Sequence, residues 1–287
     1  MPELPEVEIV KQSLQKAVKL KKIHNVLVNN RNLRFKLNKK FEKNIINKRI
    51  INIKRHAKFL ILEFEKSDFL IIHFGMSGTL HILKKHKNIK KTNLSFYHSQ
   101  NLPKKHNHIL FYFKNFKIIY NDPRRFGFLK YFSDLKKLKN YLKKYGLEPF
   151  DKSFNTKYLI NKISKTEKNI KNILIDQNII SGIGNIYASE ILFYAKINPN
   201  KKGNQLSYNC YKKLTKFSKY VLNKAIIKGG SSIQNFRNIE NNKGLYQNEF
   251  KVYDRENKIC KRTDCKYKIK KTRISNRSTF YCENCQK

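Results

Sequence analysis

Four cysteines near the end of the chain, Cys260, Cys265, Cys282 and Cys285, stand as C-x4-C-x16-C-x2-C. Two short turns on neighbouring hairpins can bring four thiolates to one point, the tetrahedral arrangement that zinc takes. A site closed by four sulfurs leaves no coordination position for a reacting group, so the expected cofactor is one structural Zn2+. The basic and small polar residues between the two pairs, among them Lys270, Lys271, Arg273, Ser275 and Arg277, suit a hairpin that touches phosphate. The second reactive candidate lies at the other end. Pro2 follows the initiator Met1, and removal of that methionine leaves a free secondary amine. Such an amine can attack an electrophilic sugar carbon, and the iminium it forms has no N–H left to lose. The iminium therefore stays cationic and draws electrons for elimination. An ordinary α-amine titrates near ~8, so a neutral fraction exists at physiological pH. A helix opening at Pro2 would favour the neutral form, whereas Glu3 and Glu6 act the other way. Taken alone, Pro2 equally fits a proline in the first turn of a helix.

These residues need elements to hold them. Val7, Val10, Leu14 and Val18 recur at helical spacing and predict a helix from 3 to about 20. Short segments rich in β-branched and aromatic residues follow: 23–28, 59–64, 69–74, 109–113, 117–120 and 128–132. They predict an antiparallel β-sandwich ending near 132. Leu135, Leu138 and Leu142 return to helical spacing, and residues 154–228 read as several helices, including 170–176, 185–195 and 208–227. The fold class expected is α+β and multidomain. Residues 1–133 are expected to form the helix-led sandwich, 134–248 a helical domain with a polar loop from 231 to 244, and 249–287 a zinc hairpin.

The formal net charge of +43 over 287 residues points to a polyanionic partner, although a Lys-, Asn- and Ile-rich composition accounts for part of it. No apolar run approaches the ~18 residues of a spanning helix, which argues against a membrane partner. The opening Met-Pro-Glu-Leu-Pro-Glu has no apolar core of a secretory signal, and the fifth cysteine, Cys210, makes the count odd. A reducing, cytoplasmic setting is expected.

A set of motifs runs in order along nearly the whole chain: 1–8 (MPELPEVE), 55–60 (RHAKFL), 73–78 (HFGMSG), 122–127 (DPRRFG), 146–149 (GLEP), 176–177 (DQ), 182–190 (GIGNIYASE) and 277–282 (RSTFYC). Together they resemble the bacterial formamidopyrimidine-DNA glycosylases. The resemblance implies a bifunctional DNA glycosylase and abasic-site lyase of base-excision repair that removes oxidised purines and then cleaves the strand by β,δ-elimination. It makes Pro2 the Schiff-base nucleophile and Glu3 the acid at the sugar oxygen. Lys58 would assist β-elimination, and Arg277 would bind the lesion phosphates and assist δ-elimination. Met76, Arg124 and Phe126 match the residues that fill the hole left by an extruded base. His73 and His106 lie in segments that contact the DNA backbone. Asn185, in a glycine turn like that of a helix–two-turn–helix element, would donate to a phosphate as its helix begins. The implied partner is double-stranded DNA with a damaged base, met by a monomer in the bacterial cytoplasm, at the nucleoid.

Three departures stand out. The first cysteine pair is C-x4-C where the family has C-x2-C, so that knuckle must bulge. Lys165-Thr166-Glu167-Lys168 does not place the family's DNA-contacting lysine, and the 231–244 loop is too Asn-rich to indicate a lesion preference. Two alternatives remain at this level. One is an endonuclease VIII-like glycosylase for oxidised pyrimidines, disfavoured by Leu4 and the Asp122–Phe126 set. The other is a non-catalytic zinc-ribbon nucleic-acid-binding protein, which leaves Pro2, Glu3 and Lys58 without a purpose.

Overall fold

The computed structural model describes residues 2–84, 104–231 and 244–287. Contacts divide it into two units, Met1–Leu142 with Lys228–Gln247 and Lys143–Ile227 with Asn248–Lys287.

In the first unit, helix α1 (Leu4–Val18) buries Leu4, Val7, Val10, Leu14 and Val18, the stripe expected from a period of 3.6. Strand β1 (Asn25–Val28) and a short helix α2 (Phe41–Ile45) follow. Two four-stranded antiparallel sheets make up the rest. One runs β2 (Ile50–His56), β3 (Phe59–Phe64), β4 (Phe69–His73), β8 (Phe128–Phe132). The other runs β1, β6 (Asn107–Tyr112), β7 (Phe116–Asn121), β5 (Thr79–Lys84). The central strands β3 and β4 are buried almost throughout, and they are the near-continuous apolar runs in the sequence. Leu14 and Val18 of α1 meet Leu62 and Ile72 of one sheet and Phe111 and Ile118 of the other around a void of about 20 Å³. The two sheets therefore share one interior, as expected of a sandwich. Helix α3 (Leu135–Leu142) belongs here too, because Tyr141 packs on Phe132 of β8 with ring centroids 5.2 Å apart. The first stretch of this unit runs to Leu142.

The second unit contains α4 (Thr156–Ile163), α5 (Ile170–Ile175), α6 (Asn185–Ala195) and α7 (Tyr208–Ile227), then the hairpin β9 (Lys270–Ile274) and β10 (Arg277–Tyr281). Asn155 and Asn169 cap α4 and α5 by accepting the backbone N–H of Tyr158 and Asn172, each at 2.9 Å. Helix α6 is buried on all sides, the condition of an apolar helix at the centre of a bundle. The segment that leads to the hairpin is anchored on α6. Glu190 of α6, itself buried, accepts the backbone N–H groups of Lys251, Val252 and Tyr253 at 2.9 to 3.1 Å. Most of the 231–244 loop lies outside the described residues. Among the described residues no helix is long and apolar enough to cross a membrane.

Candidate active site and nucleic-acid interface

Pro2 is partly exposed and immediately precedes α1, whose N-cap, Glu3, is 2% exposed. The Glu6 carboxylate closes this end of the helix. One oxygen accepts the Glu3 N–H at 2.9 Å, and the other accepts the N–H and hydroxyl of Ser231 at 2.9 and 3.0 Å. Sequence reasoning assigned Glu6 only an electrostatic influence on Pro2. The Glu3-x-x-Glu6 spacing is a signal for the cap, but nothing local points to a partner 225 residues away.

Lys58 is 5% exposed at the tight turn from β2 to β3, just after Ala57, which takes a φ of +52°. Arg55 fastens this turn to α1. Its Nε donates to Glu8 Oε2 at 2.9 Å while Nη1 donates to the Ala57 carbonyl at 3.1 Å. Burial alone would raise the Glu8 pKa. Hydrogen bonds from Lys11 and Arg55, with their positive charges, outweigh it and leave the carboxyl below its ordinary value. His73, at the end of β4, is drawn inward. Its ring stacks on Phe128, and Nδ1 accepts the Gly75 N–H at 3.1 Å, which puts the proton of the neutral ring on Nε2. Burial first, then the charges of Lys58 and Arg34, bring its pKa down to about 3. At neutral pH the ring is therefore uncharged.

Met76 and Phe126 are 39% and 44% exposed at the tips of two loops, a costly place for large apolar side chains without a partner. Arg124 stands between them in sequence, its guanidinium 4.8 Å over the Phe126 ring. His106 closes a 3-10 turn, Lys104–His106, and is partly buried. Burial and then Lys105 and His108 lower its pKa, against Asp122.

In the second unit Gln177 of the Asp176-Gln177 pair has a clear purpose. Gln177 Nε2 donates to the Ile183 carbonyl at 2.8 Å and its Oε1 accepts the Gly182 N–H at 3.0 Å, pinning the turn before α6. Gly182 takes a φ of +95°, a conformation that suits glycine. The Asn185 amide donates to the Ser278 carbonyl at 2.9 Å, tying α6 to β10 beside Arg277. Arg277 itself is exposed. Below them lies Lys171, fully buried, with its ammonium 2.9 Å from Ser189 Oγ and 3.5 Å from Thr279 Oγ1. The sequence offered no means of telling this lysine from the others.

Cys260, Cys265, Cys282 and Cys285 offer sulfurs that all lie within 4.8 Å of one another. Tetrahedral zinc with Zn–S bonds of about 2.3 Å sets its sulfurs roughly 3.8 Å apart, so the cluster fits a metal ion of that size. The extra residues of the first knuckle are absorbed by Asp264 at a φ of +63° and by Arg262, whose guanidinium lies 4.3 Å over the Phe193 ring of α6. Lys270 and Lys271 are paired with Glu283 and Glu256 at 3.1 and 2.9 Å.

Family models of the formamidopyrimidine-DNA glycosylase N-terminal domain and H2TH domain match residues 1–129 and 145–237. The chain belongs to the formamidopyrimidine-DNA glycosylase family. A formamidopyrimidine-DNA glycosylase of Rickettsia bellii is 40% identical over 288 residues, covering all of both chains. A Lactococcus lactis Fpg in complex with Fapy-dG-containing DNA superposes with a TM-score of 0.88 at 32% identity, with full coverage of both chains. A MutM in complex with DNA carrying carbocyclic 8-oxo-G gives 0.87 and 32%, again over the whole of both chains. The glycosylase fold is the one anticipated: antiparallel sheets, then a helical H2TH domain, then a hairpin with a cysteine cluster. As a member of this family the chain is a DNA-repair glycosylase.

Proposed function

We propose that this glycosylase excises oxidised purines from double-stranded DNA through a covalent intermediate on Pro2 and then cleaves the strand as an abasic-site lyase. The observation that carries the reading is Pro2 itself, partly exposed, beside a buried Glu3, on a helix that Arg55 and Glu8 fasten to the Lys58 turn. Once Met1 is removed, the neutral amine attacks C1′ and the N-glycosidic bond breaks, the base leaving with a proton. Glu3 gives a proton to the ring oxygen, the sugar opens, and the iminium forms. Loss of a C2′ proton then expels the 3′ phosphate, with Lys58 assisting, and a second elimination expels the 5′ phosphate, with Arg277 holding the phosphates. Met76, Arg124 and Phe126 fill the space left by the extruded nucleotide. Phe126 acts as a wedge between base pairs, and Arg124 is the donor to the orphaned cytosine. His73 and His106 touch the backbone as neutral donors, and Asn185 supports the phosphate contact at the start of α6.

One zinc ion is the metal that Cys260, Cys265, Cys282 and Cys285 would hold, and its contribution is the rigidity of the hairpin. The enzyme would act as a monomer in the bacterial cytoplasm, at the nucleoid. Borohydride trapping on an 8-oxoguanine duplex tests the proposal. A covalent adduct at the N-terminal proline is expected. No adduct with the demethionylated protein would sink it, and an adduct formed only with oxidised pyrimidine would move the chain to the endonuclease VIII-like reading.

A further inference from the structure

The two loops that carry Met76, Arg124 and Phe126 are joined beneath their tips by one buried carboxylate. Asp122 is 0% exposed and Ser77 1%. Asp122 Oδ1 accepts the Ser77 hydroxyl, while Oδ2 accepts the Gly127 N–H at 2.8 Å and the Tyr120 hydroxyl at 3.3 Å. Ser77 Oγ is in turn the acceptor of the Arg124 N–H at 3.1 Å, which leaves its hydrogen for Asp122. The main chain of Asp122 is held as well. Its N–H donates to the His106 carbonyl at 3.1 Å, and its carbonyl accepts the Arg125 N–H at 3.2 Å and lies 2.8 Å from His108 Nε2. Backbone packing completes the join, since a Cβ on Gly75 would come within 2.3 Å of the Phe126 carbonyl carbon. Arg125 is held at a φ of +55°, a conformation that persists only where its surroundings fix it.

We propose that Asp122 is a positioning residue that fixes Met76, Arg124 and Phe126 as a single preformed array for entry into the DNA duplex. The assignment rests on the wedge reading given above for those three side chains. An exposed apolar tip on a loose loop would have to be ordered at the moment it enters the base stack, whereas a tip already held in place does not incur that cost. The bonds are arranged accordingly. Every side-chain contact of the carboxylate runs to the backbone or side chain of residues in or flanking the two loops, and the hydroxyl of Ser77 links one loop to the other. A carboxylate suits the position because both of its oxygens are acceptors. Asn offers one accepting oxygen, and its NH2 would face a donor.

The test uses the full-length, demethionylated enzyme carrying Asp122→Asn, Ser77→Ala or Ser77→Thr, with Phe126→Ala as a control. Base release is measured in single turnover on an 8-oxoguanine duplex with 2-aminopurine beside the lesion as a reporter of unstacking. Borohydride trapping on a single-stranded oligonucleotide with an abasic site reports Pro2 chemistry where there is no stack to enter. D122N and S77A are expected to slow duplex base release by tenfold or more, as small misplacements near reacting groups do, and to slow the fluorescence phase with it. Trapping on the single strand should stay within about threefold, and S77T should restore most of the loss. Unchanged duplex rates in D122N, alongside a slowed F126A control, overturn the assignment of Asp122 alone. An equal fall on both substrates also overturns it, because Asp122 would then only hold the domain together. An F126A enzyme with an undiminished reporter response overturns the wedge reading and the inference with it.

Discussion

Arg55→Met removes the fastening between α1, the helix that follows Pro2, and the turn that presents Lys58. The ion pair it breaks is largely covered, with side chains 10% and 14% exposed. Two charge-assisted or carbonyl hydrogen bonds disappear, one to Glu8 and one to the Ala57 carbonyl. A fully buried pair broken on one side costs about 3–5 kcal/mol. Here Lys11 still holds the other Glu8 oxygen at 2.7 Å, so the remaining carboxylate is not abandoned. A loss of about 2 kcal/mol is expected, or roughly 4–8 °C in the melting temperature of a unit of this size. Glu8→Gln should cost less, and the double variant should fall short of the sum of the singles by about 1 kcal/mol or more. The sign with pH follows from Glu8. Its folded pKa lies below 4.5, so the contribution is complete above that value and is lost as the pH falls through the lower folded one. Urea unfolding supplies the cycle, and borohydride trapping at an abasic site supplies the functional readout, where R55M should be slower by at least about tenfold. Additivity within about 0.3 kcal/mol, or a normal trapping rate in a destabilised R55M, would refute the reasoning.

Three further outcomes are expected. Metal analysis should find one zinc per chain, and its removal by a chelator should abolish tight DNA binding while leaving the first unit's cooperative unfolding in place. His73 stays neutral in the folded protein down to a pH of about 3, while the unfolded chain takes up a proton below about 6.5. Stability should therefore decline as the pH falls between those values, and His73→Gln should make the urea midpoint decline less steeply from pH 7 to 4. Affinity for duplex DNA should fall steeply and linearly on a log–log salt plot, because phosphate neutralisation releases counterions. A flat plot would mark the +43 charge as a matter of composition.

The parts of this architecture that announce themselves in sequence are those with an apolar signal. Helix α1, strands β3 and β8, and helices α6 and α7 fall within about two residues of where periodicity places them. Strands β2 and β5 do not announce themselves, and each is the edge of its sheet. Lys54, Arg55 and His56 dilute the apolar pattern of β2, where Arg55 reaches Glu8 of α1, and a bulge between Ile50 and Asn52 breaks its alternation. The same division applies to the site. Cys260 to Cys285 and the motif residues are readable because their types and spacing are local. Glu6 with Ser231, Lys171 with Thr279, and Glu190 with the 251–253 backbone join positions far apart in the chain, and no local pattern encodes such partners. The bond from Asn185 to the Ser278 carbonyl likewise joins positions that only folding brings together.

The bond from Ser231 to Glu6 also sets a schedule. The helix end next to Pro2 is made before the partner of its Glu6 carboxylate, which follows 225 residues later. At about 5–20 residues per second, translation needs on the order of ten to forty-five seconds to cover that distance. During this interval the helix end next to Pro2 is still incomplete, and a chain interrupted before Ser231 would carry Pro2 and Glu3 without the contact that finishes their setting.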